Sequence, residues 1–325
     1  MAKPVCSLSL DLDNQWSYMK THGDPGWEAL PSYLDVIVPR VLDVLGQWGW
    51  SITVFVVGQD AALERNQKAL GALAAAGHEI GNHSFHHEPW LHLYTESEIR
   101  EEIVRAEEAI ESATGRKPQG FRGPGYSLSR STLAVLAERG YLYDASTLPT
   151  FLGPLARAYY FLTSRLAGEE RAQRKALFGG WTDGLRPIRP YRWQLENGQL
   201  LEIPVTTMPL LKLPFHFSYL LYIGTFSTAL AVLYFKTALR MCRMTGTEPS
   251  LLLHPLDFLG HEDVPELAFF PAMKLDTTRK LSLLNRVFRE LQTRYTVMSV
   301  GEQARKLQEN SSLAVHSPDD LNRKP

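Results

Sequence analysis

The sequence centres on the stretch Gly77-His-Glu-Ile-Gly-Asn-His-Ser-Phe-His-His-Glu-Pro-Trp90, which holds four of the ten histidines of the chain. His83 and His87 are four positions apart, and on a helical turn this spacing would place both imidazoles on one face, close enough to bind one metal ion. His86 points elsewhere, so we predict that it lines the groove or supports the ligands, and that His78 is structural. Two histidines rarely make a catalytic metal site, so the rest of the chain should supply a third ligand.

Composition sets the class of protein. Hydrophobic residues make up 44% of the 325 residues and charged residues 21%, as in soluble globular proteins, and the length suits one barrel-like domain or two ordinary ones. A net charge of -1 gives no global case for a nucleic-acid partner. The two cysteines, Cys6 and Cys242, form no disulfide framework and no thiolate metal motif. The first residues run into Asp11 without a secretory segment, so we predict a cytosolic or cytosol-facing protein.

Strands and helices alternate along most of the chain. Apolar runs at 5–12 and 51–57 predict buried strands, and the capping box Thr95-Glu-Ser-Glu98 predicts the start of a helix that reaches about residue 114. Further strands are predicted at 78–81, near 121, and at 141–144, 200–205, 249–254 and 296–298, with helices at 31–48, 61–76, 129–139, 276–293 and 301–307. This alternation predicts an α/β fold with a parallel sheet, either open or closed into a barrel.

Two segments depart from the alternation. We predict one domain over 1–309 with an inserted helical or irregular segment at about 149–199, and a polar, disordered tail over 310–325. Between residues 157 and 192 the insertion carries eight Lys or Arg against three acidic residues. The run 213–235 contains no Lys, Arg, Asp or Glu and is long enough to cross a bilayer, but proline, histidine and glycine interrupt it. A buried helix is favoured over a membrane-surface contact, and a transmembrane helix is the least favoured alternative.

Two carboxylates stand at the end of the first predicted strand. Asp11 and Asp13 point to the same side, because strand positions two apart share a face. Parallel α/β folds place their active sites at the carboxyl ends of the strands. Two carboxylates this close cannot serve equally, so one can bind a metal while the other stays free as a base.

Three later strand ends also carry polar residues. His83 and His87 follow the third strand, Arg122 follows the fourth and precedes a Gly-Pro-Gly turn, and His254 ends a later one. A glycine in that turn allows close backbone approach, so a backbone N–H there could face an oxyanion. Alone, each residue has a structural alternative: a turn cap, an ion-pair partner or a core histidine. Together they predict a metal triad, a base and a histidine on the second face: Asp13, His83 and His87, then Asp11, then His254.

In this order the motifs resemble the polysaccharide deacetylase family, which is the NodB-homology domain or carbohydrate esterase family 4. The matching phrases are Asp-Leu-Asp at 11–13, His-Ser-x-x-His at 83–87, Arg-x-Pro at 122–124, Tyr-Asp-Ala-Ser at 143–146 and Leu-Leu-Leu-His-Pro at 251–255. The resemblance extends from about residue 5 to 300. It implies a distorted (β/α) barrel of about seven parallel strands, a divalent metal that is usually zinc, and hydrolysis of an N-acyl group on a sugar.

The resemblance also implies a role for each site residue. Asp11 would be the catalytic base, positioned by Arg122, while His254 would be the general acid and Asp144 a supporting charge. The metal ligands would be Asp13, His83 and His87. The chain departs from the family pattern at three places: Leu12 separates the two aspartates, Gly125 and then Tyr126 stand where tyrosine usually follows the proline, and no tryptophan follows Asp144 closely. The oxyanion N–H would therefore come from Gly125 or Tyr126.

These observations predict a metal-dependent deacetylase of a sugar or glycan. Zinc is preferred over magnesium because two imidazoles are among the ligands. The basic insertion and the apolar run suit an anionic lipid surface, so we hypothesise a lipid-linked or membrane-proximal sugar substrate and peripheral membrane contact, although a lid or dimer contact is an equal alternative for the insertion. Other functional alternatives are a deformylase or amidohydrolase on another amide, and a non-catalytic carbohydrate-binding relative. Nothing in the sequence specifies an oligomeric state.

Overall fold

The computed structural model of the chain describes residues 3–153, 155, 180–310 and 312–322, so 154 and 156–179, about half of the predicted insertion, lie outside the described residues. The fold is built around β1, Val5–Leu12, in which every residue but the first is buried. One edge of β1 pairs with β8, and the other edge pairs first with β9 at 5–7 and then with β2 at 9–12. This central position explains why β1 is apolar along nearly its whole length.

In the described part of the chain, ten strands form one sheet. The strands are β1 Val5–Leu12, β2 Thr53–Val56, β3 Glu79–Asn82, β4 Gly120–Phe121, β5 Tyr143–Asp144, β6 Tyr191–Leu195, β7 Gly198–Glu202, β8 Ser250–Leu253, β9 Thr296–Met298 and β10 Val315–His316. Seven of them form a continuous parallel path in the order β8-β1-β2-β3-β4-β5-β7, and β9 pairs parallel with β1 off this path. The predicted α/β fold with about seven parallel strands is confirmed. Among the described residues no ladder joins β7 to β8, but Thr206 and Ser250 bridge the gap with two hydrogen bonds of 2.8 Å.

The helices cover the sheet and have these bounds: α1 Gln15–His22, α2 Leu34–Trp48, α3 Gly58–Ala61, α4 Glu64–Ala75, α5 Glu96–Thr114, α6 Arg130–Glu138, α7 Phe217–Gly224, α8 Thr228–Thr245, α9 Thr277–Arg294 and α10 Val300–Gln308. The predicted capping box of α5 is present, because Thr95 and Glu98 each accept a hydrogen bond from the other's backbone N–H. The helix ends at Gly115, whose φ of 66° is left-handed.

The apolar run at 213–235 forms two helices rather than one. α7 ends at Gly224, and Ser227 caps the start of α8 by accepting a hydrogen bond from the Leu230 N–H. The break argues against a transmembrane helix in this segment, because neither of the two helices is both long enough and apolar enough to cross a membrane. In the part of the chain that the structure describes, no helix has the length and apolarity needed to cross a membrane.

Two boundary predictions are wrong. β6, at the end of the predicted insertion, pairs antiparallel with β7 as a hairpin, so residues 191–199 belong to the sheet. The tail predicted to be disordered contributes β10, which pairs with β6, and a short 3₁₀ helix over Pro318–Asn322. His316 packs edge-on against Tyr191 with ring centroids 4.9 Å apart. A two-residue strand has no periodicity for a sequence pattern to detect, so only the tertiary pairing shows it.

Candidate active site

The two central histidines lie on a loop and not on the helical turn that would explain their spacing. The loop follows β3 and precedes a 3₁₀ turn at Leu91–Leu93. Ser84 and His87 adopt left-handed backbone angles, with φ of 58° and 53°. These angles turn the chain back on itself, so His83 and His87 approach each other with ring centroids 5.1 Å apart. The two histidines lie close together as predicted, but a loop and not a helical turn brings them there.

Buried polar groups hold this loop in place. Asn82 accepts a hydrogen bond from the Ser84 N–H at 2.9 Å, and Glu102 on α5 accepts from the N–H groups of Phe85 and His86 at 3.1 and 2.9 Å. The His86 ring also bonds Glu102, so it points to α5 and does not line the catalytic cavity. His86 therefore supports the loop that carries its neighbour His87. His78, expected to be structural, accepts a hydrogen bond from the Ile52 N–H at 3.2 Å.

Asp13, His83 and His87 form a buried cluster with the geometry of a metal site. Asp13 Oδ1 lies 3.0 Å from His87 Nε2 and 3.3 Å from His83 Nε2, and one ligand atom of each residue falls within 4.8 Å of the others. His83 Nδ1 lies 2.6 Å from the Arg122 carbonyl oxygen, which can only accept, so Nδ1 carries the proton and Nε2 is left as a ligand atom. Two imidazole nitrogens and one carboxylate oxygen form a donor set that fits zinc, with a side open to the cavity.

The charges within the cluster compensate one another. Burial alone would raise the pKa of Asp13, but the His87 and His83 imidazoles outweigh it and hold that pKa well below its usual value. For His83, burial acts to lower the pKa, and the carboxylates of Asp11 and Asp13 reverse the direction and raise it. Asp13 is therefore held as a carboxylate, which is the form that binds a cation.

Asp11 stands apart from the cluster, in an ion pair with Arg122. Arg122 Nη1 donates to Asp11 Oδ1 at 2.7 Å and to Ser9 Oγ at 2.8 Å, while its Nε donates to the Ala145 carbonyl at 2.9 Å. The guanidinium is fully buried and lies 4.4 Å from the centre of the Phe55 ring. These contacts fix the orientation of the Asp11 carboxylate and occupy its Oδ1, which leaves Oδ2 for another partner.

Asp144 lies behind the site and does not line the cavity. Its Oδ1 accepts from Ser146 Oγ at 2.6 Å, and Ser146 Oγ accepts in turn from the Gly123 N–H at 2.8 Å. Burial raises the pKa of Asp144 and raises that of its neighbour Glu202 well above the ordinary value. Asp144 therefore supports the turn after Arg122 from behind, rather than presenting a charge to a substrate.

The turn after Arg122 distinguishes the two predicted oxyanion donors. Gly125 and Tyr126 both have positive φ, at 57° and 62°. The Tyr126 N–H donates to the Gly123 carbonyl at 3.0 Å, whereas the Gly125 N–H has no hydrogen-bond partner among the described residues. Gly125 is therefore the residue of the two with a free backbone donor at the cavity wall. The Tyr126 side chain lines the same cavity.

His254 lines the same cavity as the cluster and has its own supporting residues. Ser218 Oγ donates to Asp257 Oδ1 at 2.9 Å, so its oxygen accepts at His254 Nδ1, 3.0 Å away. The Nδ1 proton is thereby held by Ser218, and Nε2 is the remaining ring nitrogen. Asp257 Oδ2 also accepts from the His254 backbone N–H at 2.8 Å, which anchors both ends of the residue.

The sequence did not single out His216 as a site residue. It is the N-terminal cap of α7, it is buried, and its ring centroid lies 6.0 Å from that of His254. Burial lowers the pKa of His216 well below its usual value, and the charges of His254 and Arg122 act in the same direction. The result is a neutral imidazole on the cavity wall. In the sequence, His216 is one histidine within an apolar run that has no charged residue. A histidine of the core has the same pattern, so the sequence does not mark His216 as a site residue.

The cluster, Asp11, His254 and His216 line one cavity of about 840 Å³. Hydroxyl groups and aromatic rings complete its lining. The hydroxyl groups include those of Ser127, Ser129, Ser131, Thr147 and Thr150, and the aromatic rings include those of Tyr18, Phe269 and Phe270. A cavity of this size and lining has room and hydrogen-bonding groups for a small-molecule ligand.

Comparison with known proteins agrees with this fold. Residues 24–143 match the family model for polysaccharide deacetylase. A peptidoglycan-N-acetylglucosamine deacetylase of Bacillus cereus is 31% identical over 104 residues, which cover 32% of this chain and 37% of that protein. A peptidoglycan deacetylase-like protein of Gibberella zeae is 30% identical over 161 residues, which cover 47% of this chain and 45% of that protein. The chain thus spans less than half the length of these relatives.

A solved structure extends the likeness to nearly the whole chain. The crystal structure of a Mycobacterium smegmatis protein assigned to the polysaccharide deacetylases superposes with a TM-score of 0.60 at 20% identity, covering 96% of each chain. At this identity the likeness concerns the fold alone. The sheet and the cluster at its carboxyl edge define an α/β protein with a candidate metal centre. Over residues 24–143 the chain is similar to the polysaccharide deacetylase family.

Proposed function

We propose that the protein is a metal-dependent hydrolase that removes an N-acyl group, in the simplest case acetyl, from a sugar or glycan. One observation carries the proposal: the buried cluster of Asp13, His83 and His87 opens to the same cavity as the separately held carboxylate of Asp11. A ligand set and an independent base are the two requirements of metal-assisted amide hydrolysis. The relatives named as deacetylases of N-acetylated glycans support the bond and the substrate class.

The residues divide the chemistry between them. When bound at the cluster, a divalent cation, with zinc best suited to these ligands, would supply Lewis-acid polarisation of the acyl oxygen and lower the pKa of the attacking water. Asp11 accepts the proton of that water on Oδ2, because Arg122 occupies Oδ1. The Gly125 N–H donates to the oxyanion that forms on the acyl group. His254 Nε2 then donates a proton to the amine as the carbon–nitrogen bond breaks, because Ser218 holds Nδ1.

Within this function we propose a lipid-linked or membrane-proximal sugar as the substrate and a site of action on the cytosolic face of a membrane. The support is the eight Lys or Arg between residues 157 and 192 and the long uncharged run at 213–235. Three of these bases, Arg186, Arg189 and Arg192, lie within the described residues, and Arg186 lines the catalytic cavity. A cation at that position suits a phosphate that joins a sugar to a lipid carrier.

The test is release of the acyl group by purified protein reconstituted with Zn²⁺. Acetate and free amine would be measured with N-acetylglucosamine oligomers and with an N-acetylated sugar linked to a polyprenyl phosphate, and formate with a formamido sugar. We expect acetate release that stops when a chelator removes the metal, with the lipid-linked substrate preferred. Metal-loaded protein that releases neither acetate nor formate from any of these substrates would overturn the proposal.

His254→Gln is expected to slow the reaction most for substrates whose leaving group must be protonated as it departs. General acids contribute about 10²–10⁴ in rate, and they matter most for a basic amine. We therefore expect a loss of about that size with an N-acetylated sugar and a much smaller loss with a 4-nitrophenyl acetate ester, whose leaving group departs without protonation. The measurement is kcat for the two substrates at one pH.

A matched control tests the support of His254. Ser218→Ala removes the acceptor for Nδ1 but keeps the imidazole, so it should give a smaller loss with the same dependence on the leaving group. Equal losses for the amide and the ester in His254→Gln would show that His254 does not protonate the leaving group.

A further inference from the structure

The helical hairpin α7–α8 carries an exposed apolar surface that the catalytic site does not use. Its side chains are Tyr222, Phe226, Leu230 and Leu233, which we call the α7–α8 patch, and they are 51, 78, 53 and 57% exposed. Single exposed apolar residues are ordinary, but four large ones on adjoining turns are not. An apolar surface of this kind usually marks a site of interaction.

The patch is continuous. The rings of Tyr222 and Phe226 pack edge-on with centroids 5.8 Å apart, and Leu230 and Leu233 follow one turn apart on α8. The opposite face of α8, which includes Ala231 and Phe235, is buried in the protein core. The hairpin is therefore already held by its inner face, and the folded chain has no need of apolar side chains on the outer one.

The charged residues that the hairpin itself contributes have one sign, although Lys236 on α8 pairs with Glu290 of α9 at 3.1 Å. From residue 203 to 247 the chain contains no Asp or Glu. The exposed stripe of α8 continues from Leu230 and Leu233 through Thr237 to Arg240 and Met244, in steps of three and four residues, and Arg243 is exposed beside it. The surface therefore combines an apolar half with a basic half.

We propose that the α7–α8 patch docks on an anionic lipid bilayer, with Tyr222, Phe226, Leu230 and Leu233 in the interface and Arg240 and Arg243 at the headgroups. Apolar side chains next to arginines on one helix face are the pattern of a peripheral helix at an acidic membrane. A second copy of this chain is a poorer partner. Its own patch would bring arginines but no carboxylate to pair with them, because the 203–247 region has none.

Docking by this surface would bring the bilayer close to the catalytic cavity. α7 carries Tyr222 on its outer face, while His216 at its N-terminus and Tyr219 line the cavity. A substrate anchored in the same leaflet could then reach the site without leaving the membrane. This consequence rests on the proposed function, whereas the binding itself does not.

Co-sedimentation with vesicles tests the docking. The full chain is mixed with vesicles of phosphatidylcholine alone or with about 30% phosphatidylglycerol, at low and at high salt. We expect binding to the anionic vesicles that weakens with salt. The double variant Phe226→Ser/Leu230→Ser should lower the partition coefficient about tenfold or more, and Arg240→Glu/Arg243→Glu should abolish the preference for anionic lipid.

Controls separate docking from folding and from catalysis. Val36→Ser, which removes an exposed apolar side chain from α2, should bind like the wild type, and the patch variants should keep the wild-type melting temperature and hydrolyse a soluble N-acetylated oligomer normally. Asp11→Asn should still bind vesicles, because docking does not depend on hydrolysis. If the proposed hydrolytic function were wrong, the expected vesicle binding would therefore be unchanged. Wild-type protein that fails to bind anionic vesicles at low salt would overturn the inference. A patch that holds two copies of the chain together would also overturn the inference. In that case the wild-type protein would be a dimer in solution, and Phe226→Ser/Leu230→Ser would convert it to a monomer.

Discussion

Asp13→Ala is expected to remove metal binding together with all hydrolysis. The substitution leaves only the two imidazoles of His83 and His87, and two protein ligands do not hold a catalytic zinc ion tightly. Even changes to residues that merely support a ligand cost about 10–100-fold in metal affinity, so loss of the ligand itself should cost at least about a hundredfold. The measurement is metal content after dialysis, with isothermal titration of Zn²⁺ into the chelator-treated protein.

The adjacent histidines provide a matched control for this prediction. His87 Nε2 lies 3.0 Å from Asp13, whereas the neighbouring His86 is bonded to Glu102 on α5. His87→Ala should therefore lose the metal, as Asp13→Ala does. His86→Ala should keep the metal, and its effect should be limited to a lower stability of the loop. Stoichiometric zinc in the dialysed Asp13→Ala protein, or equal losses from the two histidine variants, would contradict the assignment of the ligands.

Asp11→Asn is expected to stop the reaction while leaving the metal in place. Asparagine has nearly the shape of aspartate and its oxygen can still accept from Arg122, but it cannot take a proton from water. Loss of a general base typically costs about 10²–10⁴ in rate. The expected result is kcat reduced to that extent, with zinc affinity close to that of the wild type.

Asp11 lies near the end of β1 and Asp13 directly follows the strand, so making the same substitution at each aspartate is the sharpest control. Asp13→Asn should lose zinc, and Asp11→Asn should retain it, because only Asp13 lies at the imidazoles and only Asp11 is paired with Arg122. If Asp11→Asn lost the metal while Asp13→Asn kept it, the roles of base and ligand would have to be reversed.

Much of the fold follows from local patterns. The bounds of β1 agree with the predicted 5–12, because a central strand is apolar along nearly its whole length and has no competing pattern. The start of α5 agrees because a capping box acts within four residues. The predicted helix at 61–76 is in fact α3 and α4, which Ala62 and Leu63 separate. No glycine or proline marks that break, so periodicity alone passes through it.

The site was predictable in its residues and less so in its geometry. Aspartate, histidine and arginine at strand ends indicate where polar chemistry collects, because the carboxyl edge of a parallel sheet gathers them. The loop at His83 and His87 was not predictable, since positive φ is uncommon for any residue but glycine, and the enrichment of histidine there is too weak to mark one position. His216 was missed because its place on the cavity wall depends on how α7 packs against β8.

The sequence by itself determined the fold class, the residue types of the candidate site and their order along the chain, because these depend on local periodicity and on short motifs. Only the tertiary structure decided which atoms meet. It placed Asp13 beside the two imidazoles and Asp11 beside Arg122. The Tyr126 N–H is used in a hydrogen bond within the turn, whereas the Gly125 N–H has no partner among the described residues. The His86 ring is turned towards Glu102. The tertiary structure also joined β10 to β6 across more than a hundred residues. The physical reason is common to all of them: a hydrogen bond or a strand pairing between distant segments depends on packing in three dimensions, which no local pattern encodes.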